Sequence, residues 1–477
     1  MEHTARKIFT NTMGQAVLRF IEVLLGVVTL GLITRYLGQS GFGQYTTINA
    51  ILQLFIVIID FGLYLTLLRE ISANPVERTE YITNNIFTMR LMSSAALLLL
   101  AIVSISFTPY PAEIKWGVLS LSFAYLSVSL TATLTALFQK YLQMVKVAAL
   151  NAGTKVLMLG MVSVVIWLHG GLQSILVGSS IVAAIAFGIL WYLVRRLPGN
   201  LHLRIHIDLP YWREIISKAW PIAATTALNL IYFKADTIVL SMFRGPEEVG
   251  LYGAGYRVLE IMVSFPHMFM GLVLPVLTAA WIARDGSRVD RIWQRAFLFF
   301  TLMTFPLMTG ALILGVPVMK LIAGSEFAES GNVLKVLVLA TAAIFFGTLG
   351  NYIVLVLEQQ RKLIKFFLLN AALSLAGYLI FIPKYSYWGA AWITVGSECF
   401  IVLAAWIVIR PHLKLTVPWG ATAKIALASV FMAVFAYFAQ SALPLIPLLI
   451  VCATLYGALL LAFRAVSFSE LKSMIRP

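Results

Sequence analysis

The amino-acid sequence predicts an all-α integral membrane protein with fourteen transmembrane helices. Of its 477 residues, 60% are hydrophobic and only 12% are charged, whereas a soluble protein carries about 25% charged residues. Apolar segments long enough to cross a bilayer core of about 30 Å recur along the whole chain. Their residues do not alternate between apolar and polar as barrel strands do. Helices are therefore the expected spanning structure.

The apolar segments define the predicted spans, which short polar stretches separate. The first span is too long for the apolar region of a signal peptide, and we expect it to remain as a transmembrane helix. The fourteen predicted spans are 12–36, 43–68, 82–107, 114–138, 146–168, 172–194, 214–242, 249–277, 295–319, 332–357, 363–383, 387–409, 419–440 and 443–463.

The basic residues predict how these spans are oriented. The formal net charge is +15, but the lysines and arginines form short clusters between spans, so a nucleic-acid partner is not expected. Fourteen spans place 22 of them on one side of the membrane and 5 on the other. Because basic loops stay in the cytoplasm, both termini are predicted to be cytoplasmic.

An internal repeat divides the chain into two halves. Gly38, Gly43 and Tyr45 recur as Gly245, Gly250 and Tyr252, 207 residues later, and Leu150-Asn151-Ala152 recurs as Leu369-Asn370-Ala371, 219 residues later. An offset of six helices gives both halves the same orientation. The predicted domains are an N-terminal lobe (1–195), a cytoplasmic linker (196–213), a C-terminal lobe (214–410), and two further helices with a cytoplasmic tail (411–477).

Several ionisable residues lie within the predicted spans, where each costs about 2.5–3.5 kcal/mol to insert. Those selected as candidate substrate-binding residues are Arg19, Arg257, Lys155 and Lys234. The candidates for ion coupling or for pairing inside a cavity are Glu22, Asp60, Asp236, Glu260 and Glu398. The polar residues of spans one and eight each recur in steps of three and four, so each set follows one helix face. Such faces are expected to converge on a shared, hydrated interior.

A purely structural role for these charges is the alternative. Arg19 with Glu22, and Arg257 with Glu260, are three residues apart and can pair within one helix. Lys155 and Glu398 can equally be structural partners of other groups, and Lys234 and Asp236 lie near the predicted outer interface, where side chains snorkel.

The sequence gives no sign of an enzyme. It contains no metal-spaced histidine or cysteine cluster, no glycine-rich phosphate loop and no triad-like set of residues. Cofactors are therefore not expected. Without a nucleotide-binding motif, any driving force is expected to come from the substrate gradient or from coupling to Na⁺ or H⁺.

Short motifs in both halves resemble a known family. The segments are Arg35-Tyr36-Leu37-Gly38, Phe42-Gly43-Gln44-Tyr45, Asp60-Phe61-Gly62-Leu63 and Arg69-Glu70, followed in the second half by Asp236, Leu240, Gly245, Val249-Gly250-Leu251-Tyr252 and Arg257. They resemble the Wzx-like polysaccharide flippases of the multidrug/oligosaccharidyl-lipid/polysaccharide exporter (MOP) superfamily.

The resemblance implies two six-helix lobes in a V around a central cavity, with two C-terminal helices that can hold a lipid tail. It implies a transporter in the bacterial inner membrane that moves an undecaprenyl-diphosphate-linked oligosaccharide by alternating access. The related lipid II flippases line their cavity with arginines from the first and eighth helices, where Arg19 and Arg257 lie here. Implied partners are the lipid-linked oligosaccharide, membrane lipid and polysaccharide-assembly proteins.

Other functions remain open at this point. A multidrug or cation antiporter shares the fold, although its cavity should favour acidic and aromatic residues over arginine. A polymerase or ligase is disfavoured by the short outer loops. A non-transporting component of a polysaccharide-assembly complex would need none of the charged residues for export.

Overall fold

The predicted all-α class is confirmed by the structure, a computed structural model that describes residues 2–198, 201–413 and 415–465. These residues form thirteen α-helices and one short 3₁₀ turn, with no β-strand among them. Eleven helical segments within the described residues are long and apolar enough to cross a membrane. The predicted C-terminal tail beyond residue 465 lies outside the described residues.

The helices follow one another through short connections. In chain order they are α1 (Glu2–Asp60), α2 (Leu63–Ala73), α3 (Val76–Ser106), α4 (Ala112–Lys140), α5 (Met144–Trp167), α6 (Leu172–Val194), α7 (Leu209–Phe243), α8 (Pro246–Ile282), α9 (Gly286–Ala323), α10 (Ala328–Val356), α11 (Gln360–Ile409), α12 (Trp419–Ala439) and α13 (Leu445–Ala462).

Two of these helices each contain two predicted spans. In α1 the backbone leaves the helical region at Gly38, where φ is 63°, and in α11 it does so at Ser386, where φ is 54°. The left-handed region suits glycine, which has no Cβ to clash with the backbone. Spans one and two therefore meet at the kink in α1, and spans eleven and twelve meet at the kink in α11.

The chain divides into two compact units. Unit 1 comprises Met1–Ser241 with Gly245–Gly250, and unit 2 comprises Met242–Arg244 with Leu251–Pro477. In unit 1, the main apolar cluster includes Leu67, Leu134 and Phe138 and extends to Ile215 near the start of α7. This division follows contacts alone, so the predicted domain boundaries stay predictions.

Unit 2 has its largest apolar cluster among α8, α9, α10 and α11. Phe300, Phe345 and Ile353 are each no more than 2% exposed within it. Large apolar side chains also remain on the surface, such as Phe438 at 72% exposure and Ile450 at 61%. Extensive apolar surface is unfavourable in water, and on a chain with eleven spanning helices it fits contact with lipid.

The segment that leaves the sixth predicted span is fastened to α3. The Asn84 side-chain amide donates to the carbonyl of His202 (3.1 Å), and its oxygen accepts from the backbone N–H of Arg204 (3.0 Å). One turn further, the Thr88 hydroxyl accepts from the backbone N–H of His206 (2.9 Å). Asn84 and Thr88 thus satisfy backbone groups that no regular structure pairs.

The segment that leaves the twelfth predicted span is fastened to α9 in the same way. The Asp290 carboxylate accepts from the backbone N–H of Thr416 (2.8 Å) and from its hydroxyl (2.7 Å). The Trp293 indole N–H donates to the carbonyl of Thr416 (3.2 Å). In each half of the repeat, the segment that follows the sixth span is therefore held against the third helix of that half.

Two glycines of the sequence repeat allow backbones to meet within unit 1. A Cβ on Gly43 would lie 1.7 Å from the carbonyl oxygen of Pro246, and a Cβ on Gly250 would lie 2.2 Å from that of Gln39. Real Cβ atoms do not approach oxygen so closely. Glycine is therefore required at both positions for this contact. Small residues commonly allow the backbones of membrane helices to approach closely.

Candidate functional site

Arg19 and Glu22 form an ion pair on α1, within the first predicted span. An Nη1 atom of Arg19 lies 2.8 Å from Oε1 of Glu22, with the arginine side chain 48% exposed and the glutamate 15% exposed. Residues three apart share a helix face, which explains the pairing. A guanidinium group that exposed is costly against acyl chains, so this face of α1 fits a hydrated surface.

Arg257 and Glu260 form the corresponding pair on α8. Nη1 of Arg257 lies 2.6 Å from Oε2 of Glu260, and the side chains are 37% and 21% exposed. The spacing, the order of the residues and the partial exposure match those of the pair on α1. Both arginines are partly exposed, and a guanidinium fork can bind phosphate oxygens bidentately.

A third ion pair joins two helices of unit 1 and includes a residue that the sequence analysis missed. Nη2 of Arg90 on α3 donates to Oδ1 of Asp60 at the end of α1, and Arg90 Nε donates to the Ser129 hydroxyl on α4 (3.0 Å). Ser129 also shares a hydrogen bond of 2.9 Å with Ser94. The Arg90 side chain is only 3% exposed, while Asp60 is 32% exposed. Asp60, a predicted ion-coupling residue, is thus already held by a buried cation.

Asp60 also marks a break in the second predicted span, which the sequence analysis took as one helix. α1 ends at Asp60 and α2 begins at Leu63, because Phe61 and Gly62 adopt φ values of 41° and 69°. The carbonyl of Gly62 accepts both the backbone N–H (3.0 Å) and the hydroxyl of Thr66 (2.9 Å), which starts the new helix. A carboxylate at a broken membrane helix is a common feature of ion and substrate sites.

Lys234 and Asp236 are buried on α7, and this corrects the expectation that they snorkel. Lys234 is 8% exposed and Asp236 is fully buried. The Asp236 carboxylate accepts from the backbone N–H of Thr237 (2.5 Å) and from its hydroxyl (3.2 Å). Both side chains are therefore covered by protein and do not extend into solvent.

The remaining predicted residues lie on α5 and α11. Lys155 is half-buried on α5. Glu398 is 6% exposed in the second half of α11, one turn after Thr394, whose hydroxyl lies 3.3 Å from that of Tyr378. The ion pairs described above that include predicted residues each lie within a single unit, on α1, between α1 and α3, and on α8.

Unit 2 contains an apolar cavity of about 540 Å³, which is within the usual size of a small-molecule site. Residues from five helices line it, among them Met262 on α8, Leu302 on α9, Leu334 on α10, Met432 on α12 and Cys452 on α13. A lining of this kind suits a hydrocarbon chain. The two C-terminal helices, α12 and α13, thus form part of its wall.

No group of three or more histidine, cysteine, aspartate or glutamate side chains that could hold a metal ion occurs in the described part of the chain. Both cysteines, Cys399 and Cys452, are free.

A family profile described as "Polysaccharide biosynthesis protein" matches residues 6–281, which is more than half of the chain. The chain belongs to this family. The family assignment agrees with the resemblance that its motifs show. No curated protein matches the sequence.

Solved structures of other proteins have the same fold as this chain. A structure of the lipid II flippase MurJ in an inward closed conformation is 15% identical, covers 96% of this chain and 99% of that chain, and superposes with a TM-score of 0.78. An inward-facing multidrug resistance MATE family transporter of the MOP superfamily is 11% identical over 84% of this chain and 96% of that chain, with a TM-score of 0.67. The Vibrio cholerae MATE transporter VcmN in its bent form is 14% identical over 86% and 97%, with a TM-score of 0.56. The chain therefore shares the fold of these proteins.

Proposed function

We propose that this chain is a flippase that moves a lipid-linked oligosaccharide across the bacterial inner membrane, with both termini in the cytoplasm. The substrate is an undecaprenyl-diphosphate-linked repeat unit of a surface polysaccharide, and the mechanism is alternating access. The family assignment supports a role in polysaccharide biosynthesis. The fold shared with a lipid II flippase supports transport of a lipid-linked substrate.

The observation that carries the proposal is the pair of partly exposed arginines within predicted spans. Arg19 and Arg257 are 48% and 37% exposed, although each has a carboxylate partner on its own helix. The partner offsets part of the cost of the charge, and the exposed guanidinium group is suited to bind a diphosphate. Neither lipid packing nor helix pinning requires that exposure.

The apolar cavity of unit 2 supports a lipid-bearing substrate. A diphosphate sugar alone would need only a polar site, whereas a polyprenyl chain needs apolar surface that it can occupy while its headgroup crosses. The cavity between α8, α9, α10, α12 and α13 provides such surface. Placing the tail there gives the two C-terminal helices a role.

Ion coupling is part of the proposal. Glu22, Asp60, Asp236, Glu260 and Glu398 are the candidate coupling carboxylates, and Glu398 is buried without an ion-pair partner among the described residues. A carboxylate that is neutral when protonated and charged when not is suited to carry H⁺ or to bind Na⁺. We propose no enzymatic activity.

A multidrug or cation antiporter is the second candidate, because MATE transporters share the fold. A cation substrate would be repelled by the exposed arginines and attracted by unpaired acids at the same positions. The two functions differ in a simple assay: an antiporter confers drug resistance on a sensitive strain, and a flippase restores the surface polysaccharide of a deletion strain.

The test replaces Arg19 or Arg257 by Ala in a deletion strain, with the amount of membrane-inserted protein measured in parallel. We expect surface polysaccharide to be lost and the lipid-linked saccharide to accumulate on the cytoplasmic leaflet. Replacement by Lys keeps the charge but not the bidentate fork, so it should restore export only in part. Arg78→Ala, which removes an exposed arginine outside the described ion pairs, is the matched control. Normal export by both alanine variants at normal protein level would remove these arginines from the mechanism.

A further inference from the structure

Three arginines form a continuous stripe along the first turns of α9. Arg288, Arg291 and Arg295 follow steps of three and four residues, which places them on one helix face. All three are exposed, as is Arg284 in the turn that precedes the helix. The stripe spans seven residues, or about 10 Å at 1.5 Å per residue. A signal for membrane orientation requires positive charge but no alignment, so the alignment calls for a further explanation.

The opposite face of this helix segment is locked into the core of unit 2. Val289 is 1% exposed, Trp293 is 6% exposed and Ala296 is 1% exposed, and all three belong to its main apolar cluster. The arginines are therefore presented on a fixed backbone. Preorganised charges bind an anion at a lower entropic cost than charges on a mobile loop.

Both acidic residues of the segment accept hydrogen bonds from other groups, and the charge of Asp285 also interacts with those of Arg288 and Arg291. Asp285 caps α9 by accepting the backbone N–H of Arg288 (2.9 Å) and the Ser287 hydroxyl (2.7 Å), and these bonds lower its pKa below the usual value. Asp290 is held by Thr416. None of the three arginine side chains of the stripe forms an ion pair within the described residues. Their hydrogen-bond donors are thus open to a ligand.

The stripe leads towards apolar surface on the same face of α9. Leu302 and Pro306, seven and eleven residues after Arg295, continue the stripe and line the apolar cavity. Leu298, which lies between Arg295 and Leu302 in the chain, packs beside Ile425 of α12 and Ala465 after α13. The ends of these two helices add Lys424, whose ammonium donates to the carbonyl of Arg464 (3.4 Å). Aligned arginines beside a hydrocarbon-lined cavity fit an amphiphile with a phosphate headgroup better than a soluble anion.

We infer that the α9 arginine stripe is a loading site for the diphosphate headgroup of the lipid-linked substrate, on the predicted cytoplasmic side of unit 2. Neighbouring arginines each bind one phosphate through their planar forks, while the polyprenyl chain follows α9 towards the cavity. The inference rests on the proposed function for the identity of the lipid. It assigns a binding step that precedes contact with Arg19 and Arg257.

The test measures binding of a fluorescent polyprenyl diphosphate to the full-length protein in phosphatidylcholine nanodiscs. The triple variant Arg288→Gln, Arg291→Gln and Arg295→Gln should bind at least tenfold more weakly than the parent protein. The matched control replaces Arg361, Lys362 and Lys365, three exposed basic residues at the start of α11, by Gln. It removes the same charge on the same predicted side and should change the affinity less than threefold.

Two further arms distinguish the sources of the phosphate. Inorganic diphosphate should compete weakly because it has no tail, and phosphatidylglycerol should compete weakly because it has one phosphate. Competition by phosphatidylglycerol at equal concentration would make the stripe a general anionic-lipid site and overturn the inference. Equal loss of affinity in the stripe variant and the control would overturn it as well.

A variant in which the three arginines become Lys guards against misfolding of the glutamine variant. It keeps the charge and loses the fork, so a threefold to fivefold loss is expected, and unchanged affinity would contradict the bidentate binding. Failure of the loading site can be distinguished from failure of the proposed function, because binding and export are measured separately. If Arg19→Ala abolishes export while the glutamine variant binds normally, the proposed function stands and the loading site is wrong.

Discussion

The Asp60–Arg90 pair predicts an asymmetry between its two single variants. Arg90 is 3% exposed and Asp60 is 32% exposed. Asp60→Ala leaves a buried guanidinium group whose remaining partner is the Ser129 hydroxyl. An arginine keeps its charge under all ordinary conditions, and an unpaired buried charge costs about 3–5 kcal/mol. We therefore expect Asp60→Ala to lower the free energy of unfolding by that amount.

Arg90→Ala should cost less. The carboxyl group that it leaves behind is partly solvated, so the loss is that of a charged hydrogen bond, about 1–3 kcal/mol. The difference of about 2 kcal/mol corresponds to a roughly 30-fold change in the folding equilibrium. The double variant removes both charges and should be more stable than Asp60→Ala alone.

Equilibrium unfolding in mixed micelles, with SDS as the denaturant, measures these differences. Ser129→Ala is the control, because it removes one hydrogen bond of Arg90 and leaves the ion pair in place; a loss of about 1 kcal/mol is expected. The reasoning is refuted if Arg90→Ala destabilises the protein as much as Asp60→Ala does. It is equally refuted if the double variant shows the simple sum of the two single effects.

Two further predictions concern backbone contacts. Gly43→Ala should sharply reduce export or the yield of folded protein because its Cβ would overlap the carbonyl oxygen of Pro246, whereas Gly26→Ala, where nothing lies within 4 Å of the new Cβ, should be tolerated; equal behaviour of the two variants would contradict the close contact. Asp290→Ala should release the segment around Thr416 and increase its proteolysis, measured by the rate of cleavage between residues 410 and 418, and an unchanged rate would show that other contacts hold it.

The properties that the sequence predicted well are local ones. Apolar segments gave the helical class because an apolar segment depends on neighbouring residues only. The pairing of Arg19 with Glu22, and of Arg257 with Glu260, also followed from a spacing of three residues. A partner within one helical turn is visible in the sequence.

Contacts between distant segments were not predicted. Arg90 lies 30 residues from Asp60 in the chain, and no acidic residue within one turn pointed to a partner. A signal existed, since Asn84, Asn85, Thr88, Arg90 and Ser94 give α3 an unusual run of buried polar residues. The burial of Lys234 and Asp236 within the protein was not predicted for a related reason. Burial depends on which helices cover α7 and not on distance from the end of α7.

The break at Asp60 shows how a short motif can hide inside an apolar span. Hydropathy treats residues 43–68 as one segment, because a two-residue interruption hardly changes an average over a helix. The backbone at Phe61 and Gly62 nevertheless turns left-handed, and in lipid the groups released by such a break must find partners. Thr66 supplies one of them through its bonds to Gly62, and the ion pair with Arg90 anchors the end of α1.

The internal repeat extends further in three dimensions than in the sequence. Asn84 on α3 and Asp290 on α9 each bind the backbone of the segment that follows the last span of their half. The two contacts use different side chains. Asn84 and Asp290 are nevertheless 206 residues apart in the chain, and the residues whose backbone N–H groups they bind, Arg204 and Thr416, are 212 residues apart. These separations agree with the sequence offsets of 207 and 219. The two halves therefore place an equivalent contact at equivalent positions with different side chains, because an amide or a carboxylate can each pair the free backbone groups of a departing chain.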